Sequence, residues 1–382
     1  MSKEVFDYII IGAGAAGLHL AMAMQEDDWF SNKSILILDK DPKDQNDKTW
    51  SYWEKGDGKW DHIIKKSWDH GTFVGNGKTV PLTFDPYRYK TMHSIDFYAE
   101  AKHKLKASKQ FTWIISEVID VVDGSPSQVI SAEHTYDGFL VFDSRIDPDF
   151  HNQNANYHYV LQHFKGWYIE TEEASFNPDN FVMMDYRVKW KDSTSFTYVL
   201  PFSKHEAIVE FTLFNEELIE DHEYDRLLNQ YIEEVLKIKK FKIKAIEKGV
   251  IPMSDYPFHK GSTDHITKIG QAGSWVKPSS GYSFKRAELL SEKLIHNIKT
   301  GVRPDTGMIK NKFRFYDSIL LGVLHKQNHL GEQLFSDMYQ KNSIQQIFKF
   351  LDEETSLTED IKIMSRFQYG PFIQSLLRYL RK

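Results

Sequence analysis

The sequence predicts an α/β protein: a nucleotide-binding unit interrupted by an inserted β-sheet and followed by a helical C-terminal region. Three observations carry this expectation. The chain opens on an apolar strand that runs into Gly12-Ala13-Gly14-Ala15-Ala16-Gly17 and then into a helical pattern. Strand patterns dominate from Tyr157 to Phe214. After Lys310 the apolar residues recur at helical spacing, through Ile319-Leu320-Leu321 and Ile347-Phe348.

Taken in order, the first strand is Tyr8 to Ile11. Gly12, Gly14 and Gly17 follow at the Gly-x-Gly-x-x-Gly spacing, which lets a tight turn bring backbone N–H groups against a pyrophosphate at the positive end of a helix. Leu18 to Asp28 reads as the crossover helix. A second apolar strand, Ile35 to Leu38, ends in Asp39, roughly 20 residues past the last glycine, where an acid accepts hydrogen bonds from the adenosine ribose. Strand, glycines, helix, strand and acid in this order point to a bound dinucleotide. A helix is expected at Ser94 to Ser108. An apolar strand at Gly138 to Phe142 ends in Asp143-Ser144-Arg145, which read as a strand-end ion pair organising the nucleotide domain.

The inserted sheet is expected from Trp167-Tyr168-Ile169, Phe181 to Tyr186, Ser195 to Leu200 and Ala207 to Phe211. Tyr224 to Leu236 reads as a helix and Phe241 to Ile246 as a strand. Ile266 to Ile269 is a short strand before Gly270-Gln271-Ala272-Gly273, and Arg286 to Lys299 is a helix. The expected domains are residues 1–150 with 245–310 for the nucleotide, 151–244 for the substrate sheet, and 311–382 for the helical region.

Composition narrows the function classes. The 382 residues suffice for a large core. Aromatic content reaches 14%, with 26 Phe, 19 Tyr and 9 Trp, which suits a core and equally a long apolar ligand tunnel. The net charge of −6 gives no reason to expect nucleic acid. Without cysteine, disulfides, thiolate metal sites and Cys nucleophiles are excluded. The histidines show no ligand spacing beside carboxylates, so no metal is expected. Met1-Ser2-Lys3-Glu4 leads straight into the first strand with no signal-peptide pattern, and no run of about 18 apolar residues would span a bilayer.

Five segments, in order along residues 7 to 286, resemble the flavoprotein lycopene cyclases of the lycopene β-cyclase type. They are the N-terminal glycines; Lys48-Thr49-Trp50-Ser51-Tyr52-Trp53, similar to the family's HTWSFH; Phe142-Asp143-Ser144-Arg145, similar to its DGR or DSR; Val199-Leu200-Pro201-Phe202-Ser203 through Val209-Glu210-Phe211-Thr212, similar to LLPLSPDRLLIEDT; and Gly270 through Pro278-Ser279-Ser280-Gly281-Tyr282-Ser283, similar to G-x-x-x-G-x-x-x-P-x-T-G-Y-S. Lys48 and Ser280 depart from the family's His and Thr.

The resemblance implies a Rossmann-like (GR2-type) FAD domain and FAD in its reduced form, with NAD(P)H as electron source. Gly12, Gly14, Gly17, Asp39, Gly270, Gly273, Pro278, Gly281 and Tyr282 would bind the cofactor. It implies a carotenoid cyclase, an intramolecular lyase or isomerase, which protonates a terminal alkene of lycopene or a related linear carotene and closes a β-ionone ring without net redox change. Such chemistry needs a neutral acid in a dry, aromatic-rich site. The rival is an FAD-dependent monooxygenase or reductase acting on a prenyl-lipid or aromatic substrate. Gln271, where many FAD hydroxylases carry Asp, argues mildly against a hydroxylase. A non-catalytic carotenoid- or flavin-binding protein is the third reading.

Glu210 is the candidate acid. Strand alternation alone turns it to solvent, with Ile208 and Thr212, but the family motif sets its acidic residue here. A competing candidate is Phe350-Leu351-Asp352-Glu353-Glu354-Thr355, which looks like the FLEET motif of plant cyclases, although a water-exposed helical turn is the ordinary fate of such acids. Trp50 and Tyr52 read as tunnel lining or core. A substrate that lives in the bilayer implies a cytoplasmic protein bound peripherally to the inner face of the cell membrane. Lys237 to Lys244 and the basic, amphipathic stretch Phe372 to Lys382 are the candidate contacts.

Overall fold

In the computed structural model, which describes residues 4–148, 150 and 157–380, three sheets and a C-terminal group of helices surround one large cavity. The N-terminal unit is β1 (Glu4–Ile11), α1 (Ala15–Gln25) and β2 (Ile35–Asp39). Ile9, Ile10, Ile35, Leu36, Ile37 and Leu38 are almost wholly excluded from solvent. That burial explains why Tyr8 to Ile11 and Ile35 to Leu38 are continuous apolar runs rather than alternating ones. Next come β3 (Thr49–Lys55), β4 (Lys66–Trp68), β5 (His70–Gly75), β6 (Lys78–Thr83), β7 (Tyr87–His93) and α2 (Ser94–Lys106). β8 (Phe111–Ile115), β9 (Val118–Val122), β10 (Ser127–Ser131) and β11 (Thr135–Asp143) complete the first part of the chain.

The long strands β12 (Tyr159–Thr171), β13 (Asn180–Asp185), β14 (Thr194–Pro201), β15 (Glu206–Asn215) and β16 (Phe241–Ser254) build the second sheet, with α3 (Asp221–Gln230) between the last two. Then follow β17 (Ile266–Lys268), α4 (Phe284–Lys299), α5 (Asn311–Lys326), α6 (Gly331–Lys341), α7 (Ile344–Leu351), α8 (Leu357–Met364) and α9 (Tyr369–Tyr379).

The first sheet runs β8-β2-β1-β11-β10-β9. β11 changes neighbour along its length: Thr135 to Gly138 pair with antiparallel β10, and Val141 to Asp143 pair with parallel β17. Gly12, Asp39, Ser144 and Ile269 therefore all follow or terminate parallel strands at one edge, the usual place for a ligand in such a sheet. α1, α2 and α4 supply its apolar cover through Leu18, Phe97, Ala101 and Leu294.

The second sheet runs β16-β12-β15-β14-β13-β5-β6. Both of its faces are covered. Trp167, Val209, Phe211 and Leu213 pack on Tyr224, Leu227, Leu228 and Tyr231. The opposite face looks toward the three-stranded sheet β3-β7-β4 and the C-terminal helices.

The expected domain limits shift accordingly. Residues of β5 and β6, placed in the nucleotide unit by sequence, pair with β13 and so belong to the second sheet. The limit at 244/245 cuts through β16, which continues to Ser254 along the full length of β12. The limit at 150/151 lies at residues outside those described. The expected helix from Tyr224 to Leu236 begins at Asp221 and loses its regular pitch at Tyr231, where a wider turn carries the chain to Val235.

Candidate active site

The glycine turn forms as its spacing requires. Gly12 takes a positive φ of 97° and donates its N–H to Leu38 O at 2.7 Å. A Cβ on Gly17 would sit 1.9 Å from Gly12 O, so only glycine lets the first turn of α1 close onto the loop. α1 begins at Ala15 with no side-chain cap on its free N–H groups. Gly14, Ala15, Ala16 and Gly17 line a cavity of about 1150 Å³, and a Cβ on Gly14 would meet nothing within 4 Å. An uncapped helix N-terminus opening on space fits a diphosphate. Ser280 Oγ and Gln162 Oε1, buried with no hydrogen-bond partner among the described residues, line the same cavity and offer further polar contacts. The residues present thus fit the expected dinucleotide.

The other residues expected to hold the cofactor divide into two groups. Gly270, Gly281 and Tyr282 line the cavity. Asp39, Gly273 and Pro278 do not. The Asp39 carboxylate accepts from Ala13 N at 2.5 Å and Asp41 N at 2.8 Å, which ties the second strand's end to the glycine loop. Gly273 is required by packing, since a Cβ would meet Lys268 O at 2.3 Å. Asp143 and Arg145 form the strand-end pair read from sequence, at 2.9 Å, joined by Lys268 at 2.9 Å. Burial works against the Asp143 charge, but the two cations outweigh it and hold its carboxyl below the usual range.

Beyond the glycines the cavity continues across the second sheet. Its wall carries Tyr198, Tyr89 and Tyr282, whose hydroxyls bond one another: Tyr198 donates to Tyr89 at 2.8 Å, and Tyr89 and Tyr282 lie 3.0 Å apart. Burial pushes all three phenols well above their ordinary value, so they stay neutral and present ring faces. Trp50 lines the cavity, whereas Tyr52 stacks on Phe284 at 5.2 Å inside the nucleotide-domain core. The C-terminal helices close the far side with Phe315, Leu320, Met338, Phe350, Phe372 and Leu376. This covering role is not visible in their periodicity.

Glu210 faces this cavity. The alternation along β15 is as read from sequence, with Val209 and Phe211 on the α3 side. The other side, however, is the cavity and not bulk water, because the C-terminal helices cover it. Thr212 Oγ1 donates to Glu210 Oε1 at 3.0 Å. Loss of solvation, reinforced by the nearby charge of Glu247, pushes the Glu210 carboxyl up to about 8.

Glu353 is placed quite differently. It is 6% exposed and pairs with Arg286 at 2.8 Å and Lys277 at 3.3 Å. Despite burial, these cations hold its carboxyl below the ordinary carboxylate range. It is a buried, ionised strut rather than the water-exposed turn its pattern suggests. Glu354 points to solvent.

Glu247, unremarked in the sequence, also faces the cavity. Its carboxylate accepts from Thr49 N at 2.8 Å and Thr49 Oγ1 at 2.6 Å. Glu247 is the lone acid in β16, and its partner Thr49 sits in the Lys48-to-Trp53 motif.

Of the two candidate membrane stretches, Lys237 to Lys244 buries Ile238 and turns Phe241 onto the α3 core, which leaves its lysines and Ile243 outside. α9 does expose Tyr369, Ile373 and Leu377, with Leu380 just past its end, while Arg381 and Lys382 lie outside the described residues. Among the described residues no helix is long and apolar enough to cross a membrane.

Similar folds occur in solved flavoproteins at low sequence identity. A geranylgeranyl bacteriochlorophyll reductase-like protein from Thermoplasma acidophilum superposes with a TM-score of 0.61 at 12% identity, covering 98% of this chain and 99% of the other. Klebsiella pneumoniae HpxO complexed with FAD gives 0.62 at 12% identity, covering 91% and 98%. A flavin-dependent brominase gives 0.59 at 13% identity, covering 99% of both chains. Among curated sequences, the chloroplastic neoxanthin synthase of Solanum lycopersicum is 24% identical over 335 residues, 79% of this chain. The chromoplastic capsanthin/capsorubin synthase of Capsicum annuum is 23% identical over 336 residues, 78% of this chain. The chain spans 62% of the length of each of these two relatives. The family described as lycopene cyclase protein matches residues 7–377, nearly the whole chain, and the protein belongs to the lycopene cyclase family.

Proposed function

We propose that this protein is a lycopene β-cyclase that uses reduced FAD to close lycopene ends into β-ionone rings without net redox change. The observation that carries the proposal is Glu210: a carboxyl kept neutral by its surroundings, in an aromatic cavity continuous with a diphosphate-fitting glycine loop. Gly12, Gly14 and Gly17 with the N-terminus of α1 would hold the diphosphate, and Gly270 and Gly281 would let backbone approach the rest of the cofactor. The bound reduced flavin would supply an electron-rich neighbour for positive charge.

The chain's own residues account for the remainder. Glu210 gives its proton to the terminal alkene, and the neighbouring double bond closes on the resulting cation. The ring faces of Tyr89, Tyr198 and Phe196 accommodate positive charge. The C-terminal helices keep out water that would otherwise capture it. The exposed apolar stripe of α9 continues at Ile373 into the cavity lining, which supports a peripheral position on the cytoplasmic membrane face with the mouth toward lipid.

Expression in cells that accumulate lycopene tests the reading. Conversion to β-ring carotenes is expected. Unchanged lycopene beside folded, flavin-loaded protein would overturn it.

A further inference from the structure

Glu210 and Glu247 occupy the same rung of the second sheet. In the pairing of β15, β12 and β16, Gly166 lies opposite Glu210 on one side and opposite Glu247 on the other. All three point to one face, and Gly166 has no side chain to come between the two carboxyls. The space is tight: a Cβ at position 166 would lie 3.3 Å from Glu210 Cβ and 3.5 Å from its Cγ. Two ladder steps separate the Cα atoms of the glutamates by roughly 10 Å, so a reacting ring can be flanked by both side chains. Gly166 is thus a gap kept open between two acids that look into the same cavity.

The two carboxyls differ in their hydrogen-bond partners. Glu210 receives only the Thr212 hydroxyl among the described residues. Glu247 receives two donors from one residue, Thr49 N and Thr49 Oγ1. Burial raises the Glu247 carboxyl above its ordinary value, and the two Thr49 donors work against that shift by favouring the ionised form. Thr49 Oγ1 is itself 2.8 Å from Tyr168 OH, which lies 3.1 Å from His93 Nε2. The run His93, Tyr168, Thr49, Glu247 can be satisfied with every group donating toward the carboxylate.

We propose that Glu247 is the general base of the reaction, so that Glu210 and Glu247, held across Gly166, act as an acid–base pair on the closing ring. The proposal rests on the cyclase reading above. Glu210 places a proton on the CH carbon of the terminal alkene, which leaves the cation on the dimethyl carbon, and the CH carbon of the next double bond closes on it with formation of one carbon–carbon bond. Glu247 then takes the proton from that newly bonded CH carbon, whose C–H electron pair becomes the ring double bond to the adjacent cationic carbon. The carbons that gain and lose the proton lie one atom apart in the ring, which requires two groups close together or one group that moves. After product leaves, Glu247 releases its proton to solvent and Glu210 takes one from solvent, which restores the starting pair with no oxidant or reductant consumed.

The test is ring formation by the full-length, flavin-loaded protein given lycopene, with the position of the ring double bond read by NMR. Glu247→Gln is expected to lower β-ring formation on the order of 10²-fold and to divert residual product to rings with the double bond elsewhere. Glu247→Asp is expected to restore the β position in part. Glu210→Gln is expected to lower rings of every kind together, with the double-bond position of any residual product unchanged. The pH profile gives a second readout. The groups facing Glu210 are Glu247, Tyr168, Tyr198, Tyr282 and Thr212, and among these Glu247 is the carboxylate. Removing its charge should therefore move the alkaline limb of residual activity to lower pH. β-Rings made by folded Glu247→Gln at an unchanged rate, or at a reduced rate with unchanged double-bond position and pH profile, would overturn the assignment. Wild-type protein that closes no rings would instead overturn the cyclase reading.

Discussion

At the scale of the residue, two acids show how surroundings divide a shared chemistry. Glu210 and Glu353 are both shielded from bulk water, but Glu353 faces two cations and Glu210 faces a carboxylate and phenols. Glu210→Gln should therefore lower cyclisation by on the order of 10²–10⁴-fold while flavin content, read by absorbance, is unchanged. It should also alter stability with pH. The folded carboxyl titrates at about 8 against 4.5 ordinarily, so between those values the folded state binds more protons and wild-type stability falls as pH rises. Urea denaturation across that range should show a shallower fall in the Gln variant. Glu353→Gln should do the reverse: it takes from Arg286 its Glu353 carboxylate and leaves Lys277 with Asp317, lowers stability by about 3 kcal/mol, and leaves turnover per folded molecule intact. A catalytic Glu353 would instead show lost turnover at unchanged stability. Alternation along β15 was legible, but which side is solvent was not, since that depends on helices more than 100 residues further on.

At the scale of the element, the strand–turn–helix of β1 and α1 was the most legible part of the chain, because its glycines are dictated by local geometry alone. Its three glycines are nonetheless not equivalent. Gly17→Ala puts a methyl group into Gly12 O and should cost about 1–3 kcal/mol, with loss of bound flavin following from loop distortion. Gly14→Ala meets no protein atom, so its melting temperature should match wild type while flavin affinity falls, read by fluorescence titration of the apoprotein. Equal melting temperatures for the two variants would refute this division. Asp39, read as a ribose partner from its spacing, closes the same turn by accepting from Ala13 N. Spacing brings an acid to this edge of the sheet; it does not say whether the acid's oxygens go to ligand or backbone. Glu247 went unread for a related reason. Its meaning lies in register with Gly166 across β12, and register between strands some 80 residues apart leaves no local mark.

At the scale of the whole molecule, the five family segments, spread along the chain, fold so that all of them meet around one cavity: the glycine loop, the Thr49 strand, Ser144 after β11, the Glu210 strand and the loop from Gly270 to Ser283. Their order in the sequence was visible, and their convergence follows from the second sheet lying beside the edge where the parallel strands end. The role of the C-terminal helices as the far wall was hidden, because an amphipathic helix shows that it is covered but not by what. The exposed stripe on α9 leads to a whole-molecule prediction. Ile373→Glu with Leu377→Glu should reduce co-sedimentation with anionic liposomes at low salt several-fold, without changing the melting temperature. Equal sedimentation of variant and wild type would remove α9 as the membrane contact. The central claim is that the protein rearranges its substrate by moving protons and leaves its redox state unchanged. Its most direct test is the mass of the product formed from lycopene by the reduced, flavin-loaded protein in D₂O. The account predicts a product isomeric with lycopene, with one deuterium in each new ring and reductant needed only in catalytic amount. A product that has gained oxygen or a pair of hydrogens, with nicotinamide consumed in step, would contradict it.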